Sequence, residues 1–190
     1  MREREKGMKT TLKDPIFLSG EKIYLEPLST RHFSQQYLSW LNDAAVCREN
    51  RHAVFPYTAL QLRNYVRQAP RSRDSLLFAI RLKQSGRHVG NAGIINLSWT
   101  DRSAEISLLI GDKRVWGRGV GFDVCQVLKG YCFDRLNMHR VWLGATATNT
   151  AMNRIAERLD MKKEGRFKDF IYKEGRYLDV IQWFILNPKD

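Results

Sequence analysis

The chain has 190 residues, 43% of them hydrophobic, enough for one domain with its own core, and a formal net charge of +12 at pH 7. No apolar run nears the ~20 residues of a membrane span and no apolar signal region follows the charged opening, so the expectation is a cytoplasmic protein. The charge is spread along the chain without a helix-turn-helix or ribonucleoprotein motif, which favours a polyanionic cofactor or substrate over nucleic acid.

Residues 1–19 are polar and aperiodic and read as a flexible arm, with residues 20–190 as a single domain. Residues 21–28 alternate Ile23 and Leu25 against Tyr24 and Glu26, a first strand. Ser29 or Thr30 caps a helix through about Leu41 that buries Phe33, Tyr37, Leu38 and Leu41. A loop over residues 44–57 gathers Arg48, Glu49, Asn50, Arg51 and His52 ahead of Phe55, Pro56 and Tyr57; it reads as solvated surface or as a recognition element. Thr58 and Gln61 make a capping box, so a second helix runs to about Ala69 and presents Leu60, Tyr65 and Val66. Residues 76–82 and 89–97 form a hairpin, and residues 104–110 add a third antiparallel strand. Cys47, Cys125 and Cys132 offer no Cys-x-x-Cys pair, so neither disulfide nor metal is expected.

Next come Trp116, Gly117, Arg118, Gly119, Val120 and Gly121, then a helix from Phe122 with Cys125, Leu128, Cys132 and Leu136 at helical spacing. Glycines let backbone N–H groups approach an anion, and a helix N-terminus adds free donors and partial positive charge. The turn is therefore a phosphate site or a tight connection without a ligand. It is not a Walker loop, which ends Gly-Lys-Ser/Thr where this chain has Gly121, Phe122 and Asp123. Nor is it the dinucleotide fingerprint, whose third glycine comes one residue later. Beyond that helix, residues 141–147 read as a strand, Asn149 opens a helix to about Leu159, and residues 167–172 and 177–186 close the chain as a hairpin.

The glycine turn resembles the pyrophosphate loop of the GNAT N-acetyltransferases, Gln/Arg-x-x-Gly-x-Gly/Ala, with Trp116 in the first position and Gly119 and Gly121 in the glycine positions. The branch it resembles holds ribosomal-protein alanine acetyltransferases and certain amino-sugar acetyltransferases, and the likeness runs from about Lys22 to Leu186. The resemblance implies an α/β GNAT-like fold: a mostly antiparallel twisted sheet of about seven strands flanked by helices, splayed beside the fourth. It implies acetyl-CoA as co-substrate, held by residues 116–121 and by strand backbone over residues 107–110, Leu109 and Ile110 among them. Asn149 bonds the pantetheine or caps its helix, and Arg118, Lys113 and Arg154 are phosphate partners or solvated surface charges.

Acetyl transfer from a thioester needs a neutral amine, a polarised carbonyl and a proton for the leaving thiolate. Glu105 matches a glutamate often found on this strand in the family and is the expected base; a cross-strand ion pair is the alternative. The usual general acids are missing: Ala156 stands where many members carry tyrosine, and Met152 where the ribosomal-protein branch carries serine. Tyr172 or Tyr177 are the stand-ins. No cysteine matches a nucleophile, so transfer is expected to be direct, to a protein N-terminus, a ribosomal protein or an amino-sugar nucleotide. Arg48, Arg51, His52 and Tyr57 are the expected acceptor-binding residues, suited to a phosphate-bearing acceptor. The alternative from another class is a noncatalytic acyl-CoA-binding or RNA-binding module on the same scaffold. Monomer and homodimer are both open, as is association with the ribosome, while a membrane partner and direct nucleic-acid contact are not expected.

Overall fold

The computed structural model describes residues 15–190 apart from Arg51 and Ala53. Eight strands are present: β1 (Leu18–Ser19), β2 (Ile23–Pro27), β3 (Leu76–Leu82), β4 (His88–Ser98), β5 (Ser103–Ile110), β6 (Arg140–Thr146), β7 (Lys162–Lys173) and β8 (Arg176–Leu186). They form one sheet in the order β1-β2-β3-β4-β5-β6-β8-β7. Every neighbouring pair is antiparallel except β5 and β6, which run parallel. Four α-helices flank it: α1 (Gln35–Leu41), α2 (Ala59–Gln68), α3 (Val120–Asp134) and α4 (Thr150–Arg158). This is the expected mixed α/β architecture.

Strand alternation sorts side chains onto two faces. Phe78 and Ile80 of β3, Ile94 of β4 and Ile106 of β5 join one core with Val124, Cys125, Leu128 and Cys132 of α3. Ala79 of β3 joins a second core with Tyr37, Trp40 and Leu41 of α1 and Leu62 and Val66 of α2, with Leu77 and Leu109 packed against it. The site lies between these layers, on the face under α1 and α2.

Four boundaries differ from expectation. The additional strand, β1, falls inside the expected flexible arm: Leu18 pairs with Leu25, and the Phe17 N–H donates to the Leu25 carbonyl (2.9 Å). Phe17 anchors it by stacking on Phe78 (5.8 Å between centroids) and meeting Tyr131 edge-on (5.4 Å). A two-residue strand is too short to show periodicity; residues 1–14 of the arm lie outside the described residues. Ser29 and Thr30 do not start α1 but open a separate 3-10 turn (Thr30–His32), in which His32 Nδ1 accepts the Ser29 N–H (3.1 Å). Ser34 then caps α1, its Oγ accepting from the Tyr37 N–H (3.1 Å).

In α2 the capping box is present, yet the buried pair is Leu62 and Val66, while Leu60 is 67% exposed. The i, i+4 pair faces the sheet and Leu60 lies on the opposite side. Finally, β7 starts at Lys162, earlier than expected, because its exposed, charged residues give no hydrophobic alternation and only pairing with β8 defines them.

Candidate functional site

The glycine turn is set up by Asp112, which follows β5. Its carboxylate accepts from the Arg114 backbone N–H (3.1 Å) and guanidinium (2.9 Å), and Arg87 adds an ion pair (3.3 Å). Arg114 above all holds the Asp112 carboxyl below the usual carboxylate range. The chain then turns through Gly117 (φ +72°) and Gly119 (φ +80°), backbone that a side chain enters only at a cost of about 1–2 kcal/mol. The first bond of α3 runs from the Asp123 N–H to the Gly119 carbonyl (3.1 Å), so the N–H groups of Val120, Gly121 and Phe122 precede the helical ladder. With the helix dipole they make an anion cradle.

Lys22, in the turn between β1 and β2, reaches over this cradle, its Nζ donating to the Arg118 carbonyl (3.1 Å). Buried Asp123 fixes that turn by accepting the N–H groups of Glu21 (2.9 Å) and Lys22 (2.7 Å). Arg118 and Arg154 are exposed, while Lys113 is tied to Asp43 (2.6 Å) and is not a free phosphate partner.

β5 and β6 pair only through Ser103–Arg140, Ala104–Val141 and Glu105–Trp142. Past Glu105 the two strands part, leaving residues 106–110 with β4 on one side and no strand on the other. The Gly111 N–H bonds the Val89 carbonyl (3.0 Å), and antiparallel alternation then directs the Leu108 and Ile110 backbone into the opening. Within the expected backbone of residues 107–110, Ser107 and Leu109 therefore turn toward β4, and Leu108 and Ile110 face the opening. The Trp116 indole occupies part of the opening by donating to the Ile110 carbonyl (2.9 Å).

Glu105 stands where the strands part, half-buried, and accepts from Asn96 Nδ2 (2.6 Å) rather than from a cation. Asn96 is aimed there by a bulge in β4, where the register slips between Ile95 and Ser98 and Asn96 takes φ +49°. Burial raises the Glu105 pKa above the ordinary carboxylate value, and the Asn96 hydrogen bond works against that rise.

On the same face a cavity opens over β3–β5, lined by Tyr37, Tyr57, Tyr65, Asn91, Ser107 and His52 together with several leucines. The loop above it is pinned from afar. Glu49 accepts from the Thr146 (2.5 Å) and Thr148 (2.9 Å) hydroxyls beyond the opening, and Lys173 Nζ at the end of β7 donates to the carbonyls of Cys47, Asn50 (2.5 Å) and His52 (3.4 Å). Asn42 bonds both the N–H (2.8 Å) and the carbonyl (2.9 Å) of Tyr57.

Of the expected acceptor-binding residues, His52 and Tyr57 line the cavity and face each other edge-on (6.2 Å). Desolvation first and the Lys173 ammonium second lower the His52 pKa, so it is no cation at neutral pH. Arg48 is exposed and outside the lining, and Arg51 lies outside the described residues. Asn149 caps α4, its Oδ1 accepting the Met152 N–H (3.0 Å). Tyr172 and Tyr177 are 62% and 63% exposed and pack on each other (5.0 Å) at the hairpin end. Cys47, Cys125 and Cys132 are buried core thiols, and no helix among the described residues is long and apolar enough to cross a membrane. Sequence reasoning missed Lys22, Asn91, Asn96 and Lys173. Only Asn91 left a signal, as a polar residue at an inward strand position between Gly90 and Gly93.

The family model described as an acetyltransferase (GNAT) domain matches residues 22–162. An uncharacterised N-acetyltransferase, p20, of Bacillus licheniformis is 28% identical over 110 residues, 58% of this chain and 61% of that protein. A spermidine N(1)-acetyltransferase of Vibrio cholerae is 27% identical over 101 residues, 53% of this chain and 58% of the relative. The matched stretch thus spans about three-fifths of the length of these curated relatives. Among solved structures, a ribosomal L7/L12 α-N-protein acetyltransferase in complex with coenzyme A superposes with a TM-score of 0.81 at 19% identity, covering 92% of this chain and 99% of that one.

Proposed function

Since this chain belongs to the acetyltransferase (GNAT) family, we propose that it moves an acetyl group from acetyl-CoA directly to a primary amine, the acceptor being the α-amine of a protein N-terminus. The observation that carries this reading is the parting of β5 from β6 at Glu105. It leaves an unpaired strand edge that runs from a half-buried carboxylate toward the glycine turn, with the cavity on the same face of the sheet as that carboxylate. The donors at Val120, Gly121 and Phe122 suit a diphosphate, with Lys22 and Arg118 beside it. The backbone groups of Leu108 and the Ile110 N–H suit the amides of a pantetheine arm, which brings a thioester with an activated acetyl group.

The residues of the chain then have two tasks. Glu105 accepts the proton of the incoming ammonium, directly or through water, and its raised pKa makes it a stronger base than an ordinary carboxylate. Neutralising an α-amine with pKa near 7.8 costs about 1.1 kcal/mol at pH 7, against about 4.6 for a lysine side chain, so a single carboxylate suffices for the former. The second task is to keep bulk water from the thioester, which the loop pinned by Glu49 and Lys173 performs by roofing the cavity. A thiolate with pKa near 8.5 leaves with little help, in keeping with Ala156 and Met152 at the usual acid positions.

The test is a screen of purified protein with acetyl-CoA against pools of peptides, polyamines and amino sugars, following free thiol. Amine-dependent thiol release and an acetylated product are expected. Release no faster than hydrolysis with every pool would reject the reading.

A further inference from the structure

The acceptor cavity contains one polar group that the protein itself leaves unanswered. Asn91 of β4 lines it, is 9% exposed, and has no hydrogen-bond partner for its side-chain Nδ2 among the described residues. Buried amide donors without partners are rare and costly, which asks what partner this one is kept for.

Its orientation is fixed by chemistry. His88 Nε2 lies 2.9 Å from the Gly90 carbonyl and 3.2 Å from the Asn91 side chain. A carbonyl can only accept, so Nε2 carries a proton, and the Asn91 atom facing it is the oxygen. Nδ2 is left pointing elsewhere. The cross-strand neighbours of Asn91 are Ala79 and Leu109, neither of which has a side chain that could turn to accept from it. Burial, helped by nearby His32, holds the His88 pKa down to about 4, so the imidazole stays neutral and the arrangement persists at physiological pH.

The rest of the lining limits what can enter. Among the described residues it carries three tyrosines, His52, Ser107, leucines and small residues, and no aspartate, glutamate, lysine or arginine. Beyond Glu105, the described lining residues offer no counter-charge to the second ammonium of a polyamine and no cation to a phosphate. Asn91 also sits four residues along the sheet from the Glu105 row, since it pairs with Leu109 while Glu105 pairs with Ile95. At ~3.4 Å per residue that is roughly 14 Å, the reach of an extended stretch of about four residues.

We infer that Asn91 is a specificity-determining residue that donates its Nδ2 hydrogen to a backbone carbonyl within the first few residues of a neutral peptide acceptor. The inference rests on the transferase reading above and says which residue holds the N-terminal segment that reading calls for. An extended, uncharged N-terminal segment threads the cavity with its α-amine at Glu105 and a carbonyl at Asn91.

The experiment compares tetra-alanine amide, alaninamide and spermidine as acceptors for the wild type and for Asn91→Leu and Asn91→Asp. For the wild type, kcat/KM should be at least ~10-fold higher on the tetrapeptide than on either short amine. Asn91→Leu should raise the tetrapeptide KM ~10- to 100-fold with kcat within a few-fold, collapsing that preference. Asn91→Asp, which replaces the donor by an acceptor, should do at least as much. Asn91→Leu should melt no lower than the wild type, because it removes an unpaired buried donor, and should bind acetyl-CoA normally by calorimetry. A folded Asn91→Leu that uses the tetrapeptide as well as the wild type does, or a wild type that prefers spermidine, would overturn the assignment alone. Thiol release with none of the three amines would overturn the transferase reading and the assignment with it.

Discussion

The glycine turn before α3 and the loop between α1 and α2 are built in opposite ways. The turn is assembled from its own neighbours: Asp112 answers Arg114, Gly117 and Gly119 reverse the chain, and the first turn of α3 leaves its donors free. The loop is held by residues about a hundred positions away, Glu49 by Thr146 and Thr148 and its carbonyls by Lys173. A locally encoded cradle recognises a group common to many reactions. A loop tied to the far end of the sheet changes shape whenever those anchors change, which is where a change of acceptor is easily made. On the proposed function, the arrangement gives cofactor and acceptor separate binding elements.

That separation can be attacked where it is thinnest. Glu105→Gln keeps the shape and removes the proton acceptor, so turnover should fall about 10²-fold at pH 7 while acetyl-CoA affinity barely moves. The deficit should narrow as pH rises and the amine deprotonates unaided. Wild-type turnover in the folded variant would take Glu105 out of the mechanism.

Lys173→Met tests the remote anchoring. Losing its charge-assisted bonds to three loop carbonyls, contacts worth about 1.5–3 kcal/mol, should raise the acceptor KM by ~10- to 100-fold and leave acetyl-CoA affinity unchanged. An equal loss on both substrates, measured by calorimetry and initial rates, would mean that the two regions are not independent.

Gly119→Val is the converse. It puts a branched side chain at φ +80°, where even a Cβ would lie 3.3 Å from Lys22 Nζ. Acetyl-CoA affinity should drop at least tenfold, about 1.4 kcal/mol, with the acceptor KM little altered. Unchanged affinity in a folded variant would remove the cradle from cofactor binding.

The smallest expected effect is on pH dependence. Glu105 works ionised, so rate should fall on the acid side as pH drops through its raised pKa, above the ordinary carboxylate range. Asn96→Leu removes the hydrogen bond that favours the ionised form, so the acid limb of the kcat profile should move to higher pH. A limb that stays put, or moves to lower pH, would show that Asn96 does not tune the base.

Much of this molecule is written in short stretches of its sequence. Alternation over residues 76–82 and 104–110 gives β3 and β5, Thr58 with Gln61 starts α2, and Gly117, Gly119 and Gly121 mark the turn into α3. Each depends on interactions within a few residues, so a local pattern reveals it, and the resemblance to a family pyrophosphate loop rests on such a stretch. The choice of Glu105 rests on that resemblance and on acid–base chemistry, and its role as base is a proposal. Other features only the folded chain decides. β1 exists because Phe17 finds Phe78 and Tyr131, and β7 is long because β8 lies beside it. Lys113 meets Asp43 and Lys22 reaches Arg118, which no spacing in the chain announces. The acceptor side belongs to this second kind. Whether Arg48 or Asn91 looks into the cavity depends on sheet register, on a bulge and on distant anchors, and those are set when strands far apart in sequence pair.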